Sequence, residues 1–196
     1  MKTHWRLDDG HQTLVLAAVR DRLPQVVYWG SPLPQTENLD TVAFGHALDI
    51  TGGMLDENPD LSICPEAVRT FPGQPGLICR AHDGSPLLPK FCFEGAEQTD
   101  TSLMLTYTDT TNELTYRAHF KTDAHTGMIT TWAELTGVNP IHLHWLSAPV
   151  LPASQSADDM IDFAGRWCGE FQMNRTPWSA GMRYRENRTG RTGHEH

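Results

Sequence analysis

The chain has 196 residues and a mass of 21.9 kDa, room for one large domain or two small ones. With hydrophobic residues at 39% and charged residues at 20% it can bury a core, which excludes wholesale disorder, while 13 prolines and 16 glycines spread along its length exclude the long helices of a bundle. The net charge of −9 is uneven: residues 165–196 carry six arginines against three glutamates, leaving 9 basic and 21 acidic groups before them, so most of the chain repels phosphate backbones and nucleic acid is not an expected partner.

No run approaches the roughly 20 apolar residues of a membrane-spanning helix. The start, Met1-Lys2-Thr3-His4-Trp5-Arg6, leads into polar sequence rather than an apolar signal core, so a soluble, unexported, cytoplasmic protein is expected. Two short apolar runs, 13–19 and 25–29, are split by Arg20-Asp21-Arg22-Leu23-Pro24 and suit a hairpin. Residues 33–75 are aperiodic and punctuated by glycine and proline, and read as one long loop of the kind that often carries function. That loop holds an acidic cluster, Asp49, Asp56, Glu57, Asp60 and Glu66, expected to be solvated. Residues 76–82 read as a strand that turns at Asp83-Gly84.

Strict alternation is clearest in 113–121, where Leu114, Tyr116, Ala118 and Phe120 fall on one side and Thr115, Arg117, His119 and Lys121 on the other. Residues 103–108 alternate too, and Asp109-Thr110-Thr111-Asn112 supplies turn-forming side chains, which predicts a hairpin over 102–121. The Thr-rich stretch 128–135, a turn at Gly137-Val138-Asn139-Pro140 and the alternating 141–150 extend this into a meander of at least four strands. Residues 152–159 read as the one linker. The pattern predicts an all-β, antiparallel architecture.

Candidate chemistry is sparse. His142 and His144 flank Leu143 on one strand, a spacing that presents two imidazoles to one face, but no third ligand has motif spacing. The terminal His194-Glu195-His196 is weaker still, so no metal and no cofactor are implied. Cys64, Cys79, Cys92 and Cys168 form no C-x-x-C pair and read as buried free thiols. No G-x-S-x-G and no phosphate-cradling glycine loop occur. Six tryptophans suit core packing or sugar stacking.

The C-terminal stretch is the most specific. Gly165-Arg166-Trp167-Cys168-Gly169-Glu170-Phe171, followed by Gly181 and by Glu186-Asn187-Arg188-Thr189-Gly190-Arg191-Thr192-Gly193-His194-Glu195-His196, resembles the N-terminal domain of family 36 glycoside hydrolases, the α-galactosidases. Tyr28-Trp29-Gly30 is similar to the aromatic-aromatic-glycine of that domain's early hairpin, and Leu55-Asp56-x-x-Pro59 to its Leu-Asp-x-Leu-Pro loop. The resemblance covers nearly the whole chain. It implies an antiparallel β-sandwich, part of a β-supersandwich, spanning 1–196 as an incomplete domain, with the family's catalytic (β/α)8 barrel absent. It therefore implies no catalytic residue here, and a fragment that does not hydrolyse glycosides alone. Asp56 matches the loop aspartate that accepts hydrogen bonds from galactose hydroxyls, and Glu57 and Asn58 beside it are the other substrate-binding candidates; Asn58 stands where the family has leucine. The implied partners are an α-galactoside, held by a neighbouring barrel, and further copies of the full-length protein in a homo-oligomer. A free-standing carbohydrate-binding module and a purely structural oligomerisation domain are the alternatives.

Overall fold

The computed structural model describes residues 4–46, 61–154, 156–165, 168–179, 181 and 183–185. Three antiparallel strands open the chain: β1 (His4–Asp8), β2 (Thr13–Ala17) and β3 (Gln25–Gly30), ordered β1-β2-β3. The central strand β2 is buried at every position, which is why Thr-Leu-Val-Leu-Ala reads as a continuous apolar run rather than an alternation. In β1 the alternation is strict, with Trp5 and Leu7 in the core and His4, Arg6 and Asp8 on the other face.

The predicted long loop is not wholly irregular. It contains α1 (Leu39–Gly45), started by Asn38, whose side-chain oxygen accepts from the Asp40 and Thr41 amides at 3.0 and 3.3 Å. No residue of α1 is buried, so the helix has no apolar stripe by which periodicity could reveal it. A single 3-10 turn follows at Ala67–Arg69.

Then come β4 (Leu77–Ala81), β5 (Pro86–Leu87), β6 (Cys92–Gln98), β7 (Ser102–Asp109), β8 (Leu114–Asp123), β9 (Met128–Gly137) and β10 (Ile141–Leu146). The β4–β5 turn is made as expected, with Asp83 accepting from the Ser85 amide and Gly84 at φ +86°. The predicted hairpin is β7–β8, from Ser102↔Lys121 to Asp109↔Leu114, and its turn is closed by the Asp109 carboxylate accepting from the Thr111 amide. A four-stranded meander does form, but as β6-β7-β8-β9. The predicted fourth strand, β10, leaves it and pairs instead with β4 in a sheet ordered β10-β4-β5. The β8–β9 ladder runs on through the Val138 amide to the Glu113 carbonyl, and the Asn139 side chain donates to Glu113, carrying the chain beyond the point where a tight hairpin would reverse. Pro140 then offers no N–H to a returning ladder.

The core lies between the inner face of the meander and the first sheet. Leu103, Leu105 and Tyr107 of β7 and Leu114, Tyr116, Ala118 and Phe120 of β8 meet Trp5, Leu7, Leu14 and Leu16, with Ile63, Cys64 and Phe91 filling in. One ring contact joins the two sheets, Trp5 to Phe93 at 5.5 Å, and Phe93 in turn meets Tyr107 of the adjacent meander strand at the same distance. Each such large side chain, fully buried, contributes about 1.5–3 kcal/mol. The architecture is all-β and antiparallel, as the alternation predicts.

The chain divides between Leu151 and Pro152, where the stretch read as a linker begins. The second unit is a hairpin, β11 (Asp159–Ala164) with β12 (Gln172–Pro177), which the residue pattern alone did not reveal. Arg175 pairs with Asp159 and Arg185 with Asp162, so these tail arginines neutralise carboxylates of their own hairpin. Gly165 has φ +143°, and a Cβ there would collide with the Gly169 carbonyl oxygen and the Glu170 Cα. Gly165→Ala is therefore expected to cost at least the ~1–3 kcal/mol of a strained backbone. Loss of cross-strand nuclear Overhauser contacts between Ile161 and Arg175 would register it, while an unperturbed hairpin would show that the turn tolerates a side chain.

Candidate functional site

The candidate residues Asp56, Glu57 and Asn58, together with Asp49 and Asp60, lie outside the described residues. What the structure describes is the frame on either side of them. On the entry side, the outward face of β1 presents Arg6, which is largely covered. Its Nε and one terminal nitrogen donate to Asp8 at 2.7 and 3.0 Å, and the guanidinium also reaches the carbonyls of Leu33 at 2.6 Å and Pro34 at 2.9 Å. Thr13 donates to the same Asp8 carboxylate and accepts from the Leu33 amide at 3.0 Å. Tyr28 donates to the Ser31 carbonyl at 2.7 Å, and His4 lies 3.3 Å from Asp40 of α1. Burial pushes the Asp8 carboxyl up, but hydrogen bonds from Arg6 and Thr13 and the Arg6 charge outweigh it and hold the group below its ordinary range.

On the exit side the chain re-enters the core at once. Ser62 bridges to Gln25, the Ile63 amide donates to the Pro24 carbonyl at 2.8 Å, and the Ile63 carbonyl accepts from Val150 at 2.8 Å. Ile63 and Cys64 are fully buried. The described chain on either side of 47–60 is thus tied to the first sheet and its flanking turn, through Leu33, Pro34 and Asp40 before it and through Ser62 and Ile63 after it.

Glu66, expected in a solvated cluster, is instead buried. Its carboxylate accepts from the Phe91 amide at 2.8 Å and from Arg69 Nε at 2.6 Å, tying the 3-10 turn to the strand that leads into the meander. Burial pushes its pKa up, against the lowering effects of the Phe91 amide and Arg69. Neighbouring Cys64 is pushed up to about 12, chiefly by burial, so its thiol is inert. Glu66 is a structural strut and not a surface charge.

The remaining candidates also resolve. A bulge between Leu143 and Trp145 breaks the alternation of β10 at His144, and the His142 ring stacks on His82 at 5.8 Å. Among the described residues no three His, Cys, Asp or Glu side chains are grouped to hold a metal. The four cysteines are free, but only Cys64 and Cys79 are buried; Cys92 is half-buried and Cys168 exposed. Trp5 is in the core, whereas Trp29, Trp132, Trp145 and Trp178 are partly exposed. Of the C-terminal motif, residues 166, 167 and 186–196 lie outside the described set. Sequence reasoning missed Arg6, although the alternation of His4-Trp5-Arg6-Leu7-Asp8 was there to find it.

Comparison with known proteins agrees with this fold. The profile of the glycosyl hydrolase family 36 N-terminal domain matches residues 22–196. Alpha-galactosidase of Escherichia coli is 28% identical over 176 residues, covering 88% of this chain and 24% of that protein. In three dimensions, the family 36 alpha-galactosidase AgaB of Geobacillus stearothermophilus superposes with a TM-score of 0.75 at 16% identity, over 98% of this chain and 30% of that one. A substituted AgaA of the same organism, solved in complex with raffinose, gives a TM-score of 0.73 at 17% identity, again over 98% of this chain and 30% of that one. The chain therefore spans about a quarter of the curated relative's length.

Proposed function

Because the chain belongs to the N-terminal domain family of glycosyl hydrolase family 36, matched over 22–196, we propose that it is the non-catalytic N-terminal part of a cytoplasmic α-galactosidase. It would support a homo-oligomer through a β-supersandwich and lend the loop of Asp56, Glu57 and Asn58 to a sugar pocket whose chemistry lies elsewhere. The observation that carries this is the family match together with the frame around residues 47–60, anchored on one side by Arg6 and on the other by Ile63.

The parent reaction in this reading is retaining hydrolysis of a terminal α-galactoside: one carboxylate forms a covalent galactosyl-enzyme and a second activates the water that releases it. Neither carboxylate is assigned to this chain. Several of the described carboxylates are engaged in its architecture, Asp8 with Arg6, Asp109 with its turn, Glu66 with Arg69, Asp159 and Asp162 with arginines. What Asp56 contributes is an acceptor for sugar hydroxyls, a charge-assisted hydrogen bond of about 1.5–3 kcal/mol. Incubating the purified 196-residue chain with a nitrophenyl α-galactoside tests the division of labour. No release above buffer is expected, and turnover would overturn the reading.

A further inference from the structure

The outward face of the four-stranded meander carries a second constellation. Strand register sets Glu97, Met104, His119 and Trp132 directly opposite one another in a single row across β6, β7, β8 and β9. The His119 and Trp132 rings stack at 4.5 Å with planes 4° apart, so the imidazole fixes the indole and covers one of its faces. Trp132 keeps 41% of its surface exposed, which leaves its other face and outer edge to solvent. Beside the row lies an open groove of about 240 Å³, lined also by Lys121, Ser102 and Thr99, with room for one pyranose ring.

We propose that this face is a saccharide-binding site centred on Trp132. A sugar presents a flat C–H surface that packs on an aromatic face, and a rim of hydroxyls that both donate and accept. The groove offers both complements, the indole platform with the Glu97 carboxylate as acceptor and the Lys121 ammonium as donor, while the Thr99 and Ser102 hydroxyls at its rim are bonded to each other at 2.7 Å. The next row, Thr106, Arg117 and Glu134, adds one more charge of each sign. The balance of charge speaks against a nucleic-acid backbone, which would need a positive surface, and the polar surround against an apolar protein face. A neutral, hydroxyl-rich ligand is what remains. His119 is a positioning residue, acting through the indole it holds. Gly95, across from Thr106, has open space above its Cα, so a longer oligosaccharide can extend past the row without meeting a side chain there.

The choice of galactosides as probes rests on the family reading, while the site rests on the row of side chains, so the two can fail separately. Titration of the 196-residue chain with galactose, raffinose and glucose, followed by indole fluorescence and calorimetry, is expected to show millimolar binding of at least one sugar with a change in tryptophan emission. Trp132→Ala should weaken it at least tenfold and Trp132→Tyr less, whereas Trp145→Ala, which removes a comparably exposed indole from β10 of another sheet, should leave it unchanged. Urea midpoints within error of the parent would show that the variants are folded. No binding to any of the three sugars, or binding that survives Trp132→Ala, or binding lost equally in Trp145→Ala, overturns the proposal.

Discussion

Glu66→Leu is expected to lower the stability of the Met1–Leu151 unit by about 3–5 kcal/mol, measured by urea denaturation, because it breaks a buried ion pair from one side only. The leucine leaves the Phe91 amide without its acceptor and Arg69 without its counter-charge, in a setting that admits little water. Glu66→Gln is the discriminating control. Its amide oxygen still accepts from Phe91, so its cost should stay near ~1 kcal/mol.

The pH dependence follows from the direction of the shift. The folded-state pKa of Glu66 lies above its ordinary value of 4.5, so the native state holds the proton more tightly than the unfolded chain. Its contribution is complete below the unfolded value and is lost as pH rises through the raised one. Asp8, held below its ordinary value of 3.8, acts in the opposite sense: its contribution is present above that value and lost as pH falls through the folded one. The penalty of Glu66→Gln relative to the parent should therefore shrink between pH 4.5 and 8; a penalty that grows would show that the Arg69 charge outweighs burial.

Arg6→Ala is the second large effect. One guanidinium joins Asp8, Leu33 and Pro34, so a single truncation releases the start of the long loop from β1. The expected cost is about 1.5–3 kcal/mol, the range for hydrogen bonds to a charged group. Hydrogen exchange at the Leu33 amide, which donates to Thr13, should accelerate well beyond what the global loss explains. Arg6→Lys should rescue only part of this, since an ammonium cannot reproduce the planar fork that spans a carboxylate and two carbonyls. An unchanged Leu33 amide would show that Thr13 alone holds the loop.

Alternation made the meander's centre legible. Leu114, Tyr116, Ala118 and Phe120 announce the buried face of β8 because each strand residue faces opposite to its neighbour. Pairing was less legible than strand identity. Nothing local in Ile141–Leu146 says that its partner is Leu77–Ala81, some sixty residues away, rather than the strand just before it. Glu66 was misread for a related reason: an acidic residue in an aperiodic stretch carries no sign that an arginine three positions on and a distant amide will bury it. The short helix after Asn38 hides because it buries nothing. Of the site, the Asp56 loop came from a family motif and its anchors from the fold, since Arg6 acts on carbonyls that no side-chain pattern records.

In the function proposed above, this chain lends a carboxylate to a galactoside pocket that it does not itself complete. The direct test is the hydrolysis of raffinose by the parent polypeptide that carries these 196 residues, compared with its Asp56→Ala form. Loss of one charge-assisted hydrogen bond to a sugar hydroxyl predicts a kcat/KM lower by about 10- to 100-fold, with the oligomer and fold intact. An Asp56→Ala enzyme with unchanged kcat/KM would show that this carboxylate takes no part in holding the sugar.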